Sequence, residues 1–407
     1  MKKSSIILFM VLAYIHANTI QEIIITGNNF TKDSTILDLI SHSPGDSINT
    51  EQAIEDQAAL FNSGLFYDAI IYPDNTKYYI FVWEKPTILP RPEVDKHDIL
   101  GWSYGGSVLF NNLKGENKKL KISTLIGAST IVDVHYSNPK FHKTNDSLNL
   151  NLYNKFYNNT ENDYKIYSRG IKTSFALLTQ NRSHQIKISN QMEYYKLLFE
   201  NGDNENNYSI MNTLGYQVNL GGLNNQLKIK LAHLWFKHTY KSYFSMNLEN
   251  DYYIYFNDIN RETQNSPRLL IRNQLKINTS NNIPIYNKDY IISEDYVRGY
   301  NITQIPDEVL FDGNNLLWNN IIASTIQIEI PFYNDGFSSR DLLLFWDWGT
   351  GWNWLDFDDW DISENSKIRS FGIGMRYDIM KIAKIDICIG MTPYNGNKEL
   401  QVIVRNF

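Results

Sequence analysis

Cysteine is almost absent from this sequence, since Cys388 is the single cysteine among 407 residues. One cysteine cannot form an intramolecular disulfide, and it cannot build a metal site together with other cysteines. It lies in the apolar run from Ile385 to Ile389. We therefore interpret Cys388 as a thiol on a strand.

Long apolar runs and an excess of positive charge are also missing. Beyond the N-terminus, no stretch approaches the roughly 18 consecutive apolar residues that a transmembrane helix needs, which excludes a helical membrane protein. Lys and Arg total 38 against 44 Asp and Glu, so the net charge is -6. A general nucleic-acid-binding protein carries a basic surface. We therefore expect no nucleic acid among the partners.

Aromatic residues, in contrast, are abundant. The chain has 27 Tyr, 20 Phe and 9 Trp, which make up 14% of the sequence, while 20% of its residues are charged. This mixture is unusual for a soluble enzyme. It is typical of a membrane β-barrel, whose strands face lipid on one side and water on the other.

The first residues have the features of an export signal. Lys2 and Lys3 give a positive start, residues 6–14 form a short apolar core, and Ala17 is a small residue at the cleavage point. We predict a signal peptide over residues 1–17. The alternative is a buried N-terminal strand.

Residues 18–85 form a predicted small α/β domain. Its predicted elements are a strand over 20–26, a helix over 34–41, a helix from Asn49 or Thr50 to a C-terminal cap at Gly64, and strands over 66–72 and 77–83. This order is β-α-α-β-β, and three strands with two helices can bury one core. A generic α/β domain that binds no other polypeptide would have the same order of elements.

Prolines separate this domain from the rest of the chain. Pro86, Pro90 and Pro92 lie within residues 86–97. Proline removes backbone donors and stiffens the chain, so we predict a semi-rigid linker rather than a strand over this range.

Residues 98–407 are predicted to form an antiparallel β-barrel. Segments of alternating character, such as Gln226–Phe236, recur between clusters of Asn, Asp, Gly and Ser. A secreted β-helix or sandwich would alternate too. We predict 16 strands because bacterial barrels have even counts. The sequence shows 15 candidates, and the missing strand is expected within 283–290 or 164–178.

One long connection carries the strongest functional signal. Val297, Arg298, Gly299 and Tyr300 lie between the strands predicted near residues 269–279 and 318–331. A guanidinium that enters a narrow lumen needs carboxylate or carbonyl acceptors, because an unpaired buried charge is costly. An exposed loop arginine without a partner is the alternative.

A second motif supplies a candidate acceptor. Phe345, Asp347 and Gly349 form an F-x-D-x-G pattern on the strand that follows Pro331. Asp347 is the carboxylate that we expect to pair with Arg298.

Two resemblances follow from these motifs. The segments IIITGN, LFNSGLFYDAIIY and YYIFVWEKP resemble a polypeptide-transport-associated (POTRA) domain. The V-R-G-Y and F-x-D-x-G motifs, with residues 371–378 and a terminal strand, resemble the BamA/TamA family of outer-membrane assembly barrels. That resemblance implies that the loop folds into the lumen and that Arg298 forms a salt bridge with Asp347.

The chain departs from the family pattern at one position. An acidic residue is usual four residues before a proline such as Pro331, but here that residue is Gln327, and Glu329 follows two residues later. Both side chains share a face. Either Glu329 substitutes as the lumen acceptor or the loop is held less tightly.

The resemblance also implies a function. It implies a factor that inserts unfolded client polypeptides into the outer membrane or moves them across it, by strand templating at the barrel seam and at the edge of the POTRA sheet. The aromatic end Phe407 resembles a barrel-assembly signal, and the last strand would pair weakly with a first strand near residues 99–110 to form that seam. The expected partners are unfolded client proteins, outer-membrane lipid and accessory periplasmic proteins. The expected location is the outer membrane, with the POTRA domain in the periplasm.

Two alternatives remain: a passive pore or surface antigen of the same architecture, and a secreted β-rich binding protein. An enzyme is not expected, because the sequence contains neither a G-x-S-x-G motif nor a phosphate-binding loop. We expect no catalytic residues, no metal site and no cofactor.

Overall fold

The computed structural model describes most of the chain. The described residues are 19–74, 76–97, 101–141, 146–159, 164–179, 183–199, 202–219, 226–237, 240–256, 266–280, 282–284, 287–293, 295–300, 317–334, 338–352, 367–379, 383–392 and 398–406. The predicted signal peptide and Phe407 lie outside them. The chain divides into two compact units, of which one holds residues 1–91, 108–122 and 135–147, and the other holds the remainder.

The first unit contains the predicted β-α-α-β-β domain. Strands β1 (Glu22–Thr26), β2 (Phe66–Asp74) and β3 (Lys77–Glu84) form a sheet in the order β1-β3-β2, with helices over Asp33–Leu37 and Thr50–Asn62. Ile20, Ile36, Leu60, Phe66 and Tyr78 are among the buried core residues. The predicted β-α-α-β-β order is confirmed.

Local sequence explains the longer helix. The Asn49 side chain accepts hydrogen bonds from the backbone N–H groups of Glu51 and Gln52, as expected of an N-cap. At the other end, Gly64 adopts a φ of 75°, which permits the sharp exit that most residues resist. The helix thus begins and ends where its capping residues predict.

Within the described residues, the large sheet contains sixteen strands. Their order follows the chain from β4 to β14 and then from β17 to β21, with β4 and β21 as the outermost strands. The strands are β4 (Ile88–His97), β5 (Gly101–Leu113), β6 (Lys118–Gly127), β7 (Ser129–Asn138), β8 (Asp146–Asn159), β9 (Tyr164–Leu178), β10 (His184–Phe199), β11 (Asn204–Asn219), β12 (Gln226–Phe236), β13 (Tyr243–Tyr255), β14 (Arg268–Asn278), β17 (Asn320–Asn334), β18 (Ser339–Trp352), β19 (Lys367–Ile379), β20 (Ala383–Met391) and β21 (Lys398–Asn406). The short strands β15 (Asp289–Tyr290) and β16 (Leu317–Trp318) pair with each other.

The linker predicted over residues 86–97 is wrong, because residues 88–97 form strand β4. The carbonyl of Thr87 accepts a hydrogen bond from the N–H of Asn111 on β5, over 2.7 Å. The backbone N–H and C=O groups of successive strand residues point alternately toward one neighbouring strand and away from it, and those of Thr87 point toward β5. The nitrogens of Pro90 and Pro92, which carry no hydrogen, therefore point away from β5. Proline is tolerated on the open side of an edge strand. The prolines therefore mark an edge strand and not a linker.

This correction moves the start of the barrel sheet. Sixteen strands were predicted from residue 98 onward, but β4 is the first of the sixteen. The described part of the segment near residues 99–110, which starts at Gly101, belongs to the second strand and is not the outermost one. Of the two places proposed for a missing strand, 164–178 is a strand, whereas the described residues of 283–290 contribute only the short strand β15.

The large sheet has two chemically different faces. The inner face, which we define as the face carrying Asp347 and Glu329, is buried and polar at many positions. The outer face exposes large apolar side chains, including Ile188, Leu214, Leu231 and Trp346. Strict alternation along each strand produces this division.

The helices are short. Among the residues with assigned structure, no helix is long and apolar enough to cross a membrane.

Candidate functional site: a loop docked on the inner face

The V-R-G-Y motif lies against the inner face of the sheet. Val297 is fully buried and packs with Ile291, Ile321 and Ile368, and its N–H donates to the carbonyl of Ile291 over 3.1 Å. The hydroxyl of Tyr300 donates to the carbonyl of Arg369 over 2.6 Å. Apolar packing and backbone hydrogen bonds together fix the loop on both sides of Arg298.

Arg298 makes a bidentate ion pair with Asp347. Its Nε lies 2.8 Å from Asp347 Oδ2 and its Nη2 lies 2.9 Å from Asp347 Oδ1. The backbone N–H of Arg298 also donates to Asp347 Oδ2, over 3.1 Å. Asp347 is fully buried and Arg298 is 7% exposed. Parallel N–H···O bonds of this kind are among the strongest and most directional in proteins.

Phe345 supports the guanidinium from one side. The Arg298 Cζ lies 3.8 Å from the centre of the Phe345 ring, a cation–π contact. The ring fits because Gly372 is its neighbour across the strands, and a Cβ on Gly372 would lie 2.8 Å from Phe345 Cε1. The F-x-D pattern thus supplies both an acceptor and a surface for one arginine.

The third residue of the pattern provides space. A Cβ on Gly349 would lie 3.1 Å from Val297 Cγ2 and 3.2 Å from Ile291 Cδ1. These are tighter than ordinary van der Waals contacts. Gly349 therefore lets the loop approach the sheet closely.

Gln327 and Glu329 have different roles. Gln327 Oε1 accepts from Arg298 Nη1 over 2.8 Å, and Gln327 Nε2 donates to Glu329 Oε1 over 2.6 Å. Glu329 is fully buried. The neutral Gln327 therefore contacts Arg298 directly, and Glu329 is linked to it through the Gln327 amide.

Two further arginines bind Glu329. Arg376 Nη1 lies 2.7 Å from Glu329 Oε1, and Arg268 Nε lies 2.6 Å from Glu329 Oε2. Arg376 also forms a bidentate pair with Asp386, and Arg268 reaches Asp341 over 2.8 Å. The loop arginine is thus one member of a continuous charged network on the inner face.

Sequence reasoning missed four members of this network, namely Arg268, Asp341, Arg376 and Asp386. They are distant in sequence and belong to no motif that names a pair. Alternation along the strands indicates the face of two of them. Arg376 shares a face of its strand with Gly372 and Gly374, and Asp386 shares a face with the buried Cys388. Alternation gives the face of each residue, but only the register between strands gives its partner.

A polar cavity lies beside the network. It has a volume of about 320 Å³ and is lined by Asp251, Arg272, Asp295, Arg298 and Arg376, among others. Among the residues that the structure describes, no group of three or more His, Cys, Asp or Glu side chains is arranged to hold a metal ion.

Comparison with known families matches both parts of the chain. The Omp85 superfamily domain matches residues 112–402, and the POTRA family, described as surface antigen variable number repeat, matches residues 18–85. The chain belongs to the Omp85 superfamily. It is therefore an outer-membrane β-barrel preceded by a POTRA domain, which confirms the predicted fold class and the resemblance read from the sequence.

Solved structures share the fold of this Omp85 chain. BamA from Haemophilus ducreyi lacking POTRA domains 1–3 is 16% identical with a TM-score of 0.65, and the match covers 96% of this chain and 84% of that one. CdiB from Acinetobacter baumannii is 13% identical with a TM-score of 0.59, over 95% and 73% of the two chains. CdiB from Escherichia coli is 11% identical with a TM-score of 0.60, over 95% and 76%. No curated protein matches by sequence.

Proposed function

We propose that this protein inserts polypeptides into the outer membrane or moves them across it, with the POTRA domain in the periplasm receiving unfolded clients. Membership of the Omp85 superfamily supports outer-membrane insertion or translocation in general terms. The mode of client binding is inferred from the surface of the POTRA domain.

The observation that carries the proposal is an exposed apolar face on the POTRA sheet. Ile70, Tyr72, Phe81 and Trp83 are between 39% and 58% exposed. Register places Ile70 opposite Phe81, and Tyr72 opposite Tyr79. A contiguous exposed apolar patch of this kind marks an interaction site. Unfolded barrel strands, with an apolar residue at every second position, offer complementary side chains.

The β2 edge of the same sheet is poorly suited to strand addition. On β2, the N–H of Ala69 donates to the carboxylate of Asp68, and the N–H of Ile71 donates to Gln57 Oε1 over 3.2 Å. Pro73 has no N–H. A client strand added here would meet side-chain caps instead of available donors. We therefore assign client capture to the aromatic face.

The two outermost strands of the large sheet, β4 and β21, also differ in the backbone donors that they offer. Pro90 and Pro92 remove two donors from the open side of β4, whereas every residue of β21 carries a backbone N–H. Strand templating needs alternating donors and acceptors. We propose that templating uses the β21 edge.

Photo-crosslinking in cells tests this mode of capture. A photoreactive residue at Tyr72 or Trp83 is expected to crosslink to nascent outer-membrane proteins, whereas one at the exposed Glu51, on the helix that packs against the other face of the sheet, is expected to crosslink weakly. Crosslinks concentrated along β2 and absent from Trp83 would contradict capture by the face. A matched variant, Trp83→Ala, should reduce client crosslinking from Tyr72.

Depletion of the protein, followed by quantitative proteomics of the outer membrane, tests the function itself. Loss of many barrel proteins would indicate a general insertase, and loss of one or a few would indicate a dedicated transporter. An unchanged proteome, together with a steady conductance that persists when residues 18–85 are deleted, would instead support the passive pore.

A further inference from the structure

The outer face carries an open apolar groove on strands β7 to β12, away from the inner-face network. Its volume is about 800 Å³. Two rows of side chains cross it. The cation row consists of Arg169, Tyr194, Tyr208 and Lys237, and the apolar row consists of Ile171, Met192, Ile210 and Trp235.

The cation row follows the register of four neighbouring strands. Tyr194 is paired with Arg169 on one side and with Tyr208 on the other, and the N–H of Lys237 donates to the carbonyl of Tyr208. The Arg169 guanidinium lies 5.0 Å from the Tyr194 ring centre, and the Lys237 ammonium lies 5.7 Å from that of Tyr208. Two tyrosines therefore separate two cations.

The apolar row lies two residues further from the strand ends. Met192 is paired with Ile171 and with Ile210, and Ile210 is paired with Trp235. Met192 is 51% exposed and Trp235 is 41% exposed. An acyl chain that enters from the cation row would meet this surface next.

The antiparallel pairings from β9 to β17 place the cation row in the half of the sheet nearer the connection between β14 and β17. Aromatic residues form girdles at both membrane–water interfaces of outer-membrane barrels. Arg and Lys at that depth attract anionic head groups. The groove thus combines an apolar floor with a charged rim.

We propose that this groove is a binding site for a membrane glycolipid that carries two phosphates, with one phosphate near Arg169, the other near Lys237 and acyl chains on the apolar row. The distance between the strands that carry Arg169 and Lys237 indicates two phosphates rather than one. Three strand spacings separate β9 from β12, or about 14 Å, which a single phosphate cannot bridge. The Tyr194 and Tyr208 rings lie where the sugar core would rest.

Binding to the purified full-length protein tests the site. Native mass spectrometry would compare diphosphoryl lipid A, monophosphoryl lipid A and phosphatidylglycerol as probes. We expect diphosphoryl lipid A to bind most tightly. Arg169→Gln and Lys237→Gln should each weaken it about 5-fold, since each removes one cation at the interface. Loss of one phosphate should have a similar effect.

The chain offers a matched control. Arg340 lies over Tyr333 at 4.9 Å on the outer face but at the opposite end of the sheet. Arg340→Gln should leave binding unchanged. Ile210→Trp should block the groove without altering charge and should also weaken binding. Heat-modifiable migration would verify that each variant is folded.

Three outcomes would overturn the proposal. The first is unchanged binding in the double variant Arg169→Gln, Lys237→Gln. The second is an equal loss in Arg340→Gln, which would indicate a general attraction to cations. The third is phosphatidylglycerol binding as tightly as diphosphoryl lipid A, which would indicate anionic lipid around the whole barrel.

Discussion

The backbones of Gly299 and Gly390 touch, and this contact sets how deeply the loop docks. A Cβ on Gly299 would lie 2.7 Å from the Cα of Gly390, and Gly299 has a φ of 87°. A residue with a side chain resists both the contact and the dihedral angle. Arg298 is therefore held at its depth by a glycine on each side of the interface.

Replacing Gly390 with alanine should loosen the loop. The added methyl group overlaps the backbone of Gly299, and such overpacking costs about 1–3 kcal/mol. We expect a lower unfolding temperature and faster proteolysis of the β14–β17 connection. Gly215→Ala is the control, because a Cβ there meets its nearest atom at 3.6 Å. Equal proteolysis of both variants would argue against close docking.

The Arg298–Asp347 pair should show strong coupling. Arg298→Ala leaves a buried carboxylate and Asp347→Ala leaves a buried guanidinium, so each should cost about 3–5 kcal/mol or impair function. The double variant should lose less than the sum of the two. Unfolding measurements on the three variants give the coupling. Partial restoration by a charge swap would support the pair, whereas wild-type behaviour of both single variants would contradict it.

Arg298→Lys should hold the docked loop less firmly than the native arginine does, which a lower unfolding temperature would show. Lysine keeps the charge but not the planar fork that binds both Asp347 oxygens and Gln327.

Gln327→Glu should be destabilising here, although an acidic residue is usual at this position in the family pattern. Its new carboxylate would lie about where the Gln327 amide now donates to Glu329, 2.6 Å away. Adding Glu329→Gln should recover part of the loss, since it removes the repulsion while weakening the contacts to Arg268 and Arg376. Thermal unfolding of the two variants measures this. A neutral effect of Gln327→Glu alone would show that the network tolerates the added charge.

The outer face contains a polar row where lipid is expected. Thr173, Asn190, Asn212 and His233 are register neighbours between two apolar rows, and Asn190 Nδ2 donates to Asn212 Oδ1 over 2.8 Å. Polar side chains cost free energy in hydrocarbon. The double variant Asn190→Leu, Asn212→Leu should therefore raise the unfolding temperature, while either single variant should gain less because it strands its partner. A lower unfolding temperature in the double variant would show that the row is satisfied from outside the chain.

Much of this arrangement follows from local patterns. The cap at Asn49, the turn at Gly64 and the strand Gln226–Phe236 are encoded within a few residues, and each was predicted at or near its observed position. The conformation of residues 88–97, in contrast, is not determined by the local sequence. Whether Pro90 breaks a strand depends on which side of it faces a neighbour, and that is decided by pairing with β5.

The charged network shows the same limit. The expectation for Arg298 came from family resemblance, and the inner-face position of Gln327 and Glu329 came from alternation. The link between Glu329 and two arginines arises only from the register of β14, β17 and β19. A one-residue slip would move these side chains to the other face.

The POTRA domain should lose stability in acid through Asp56. Burial raises the pKa of this carboxyl, but hydrogen bonds from Ser41, His42 and Tyr78 outweigh burial and lower the pKa below its ordinary value. Its contribution is therefore present above the unfolded-state pKa and is lost as the pH falls through the lower folded-state pKa. The loss of this contribution begins at about pH 4 as the pH falls.

Hydrogen exchange of residues 50–84 in the full-length protein measures that loss. Protection should fall on acidification in the wild type, and in Asp56→Asn it should be lower at neutral pH and depend less on acid. Glu51→Gln is the control, because this exposed residue lies on the same helix. An Asp56→Asn variant with wild-type protection at neutral pH would mean that the buried cluster of His42, Asp56 and Tyr78 does not hold the domain together.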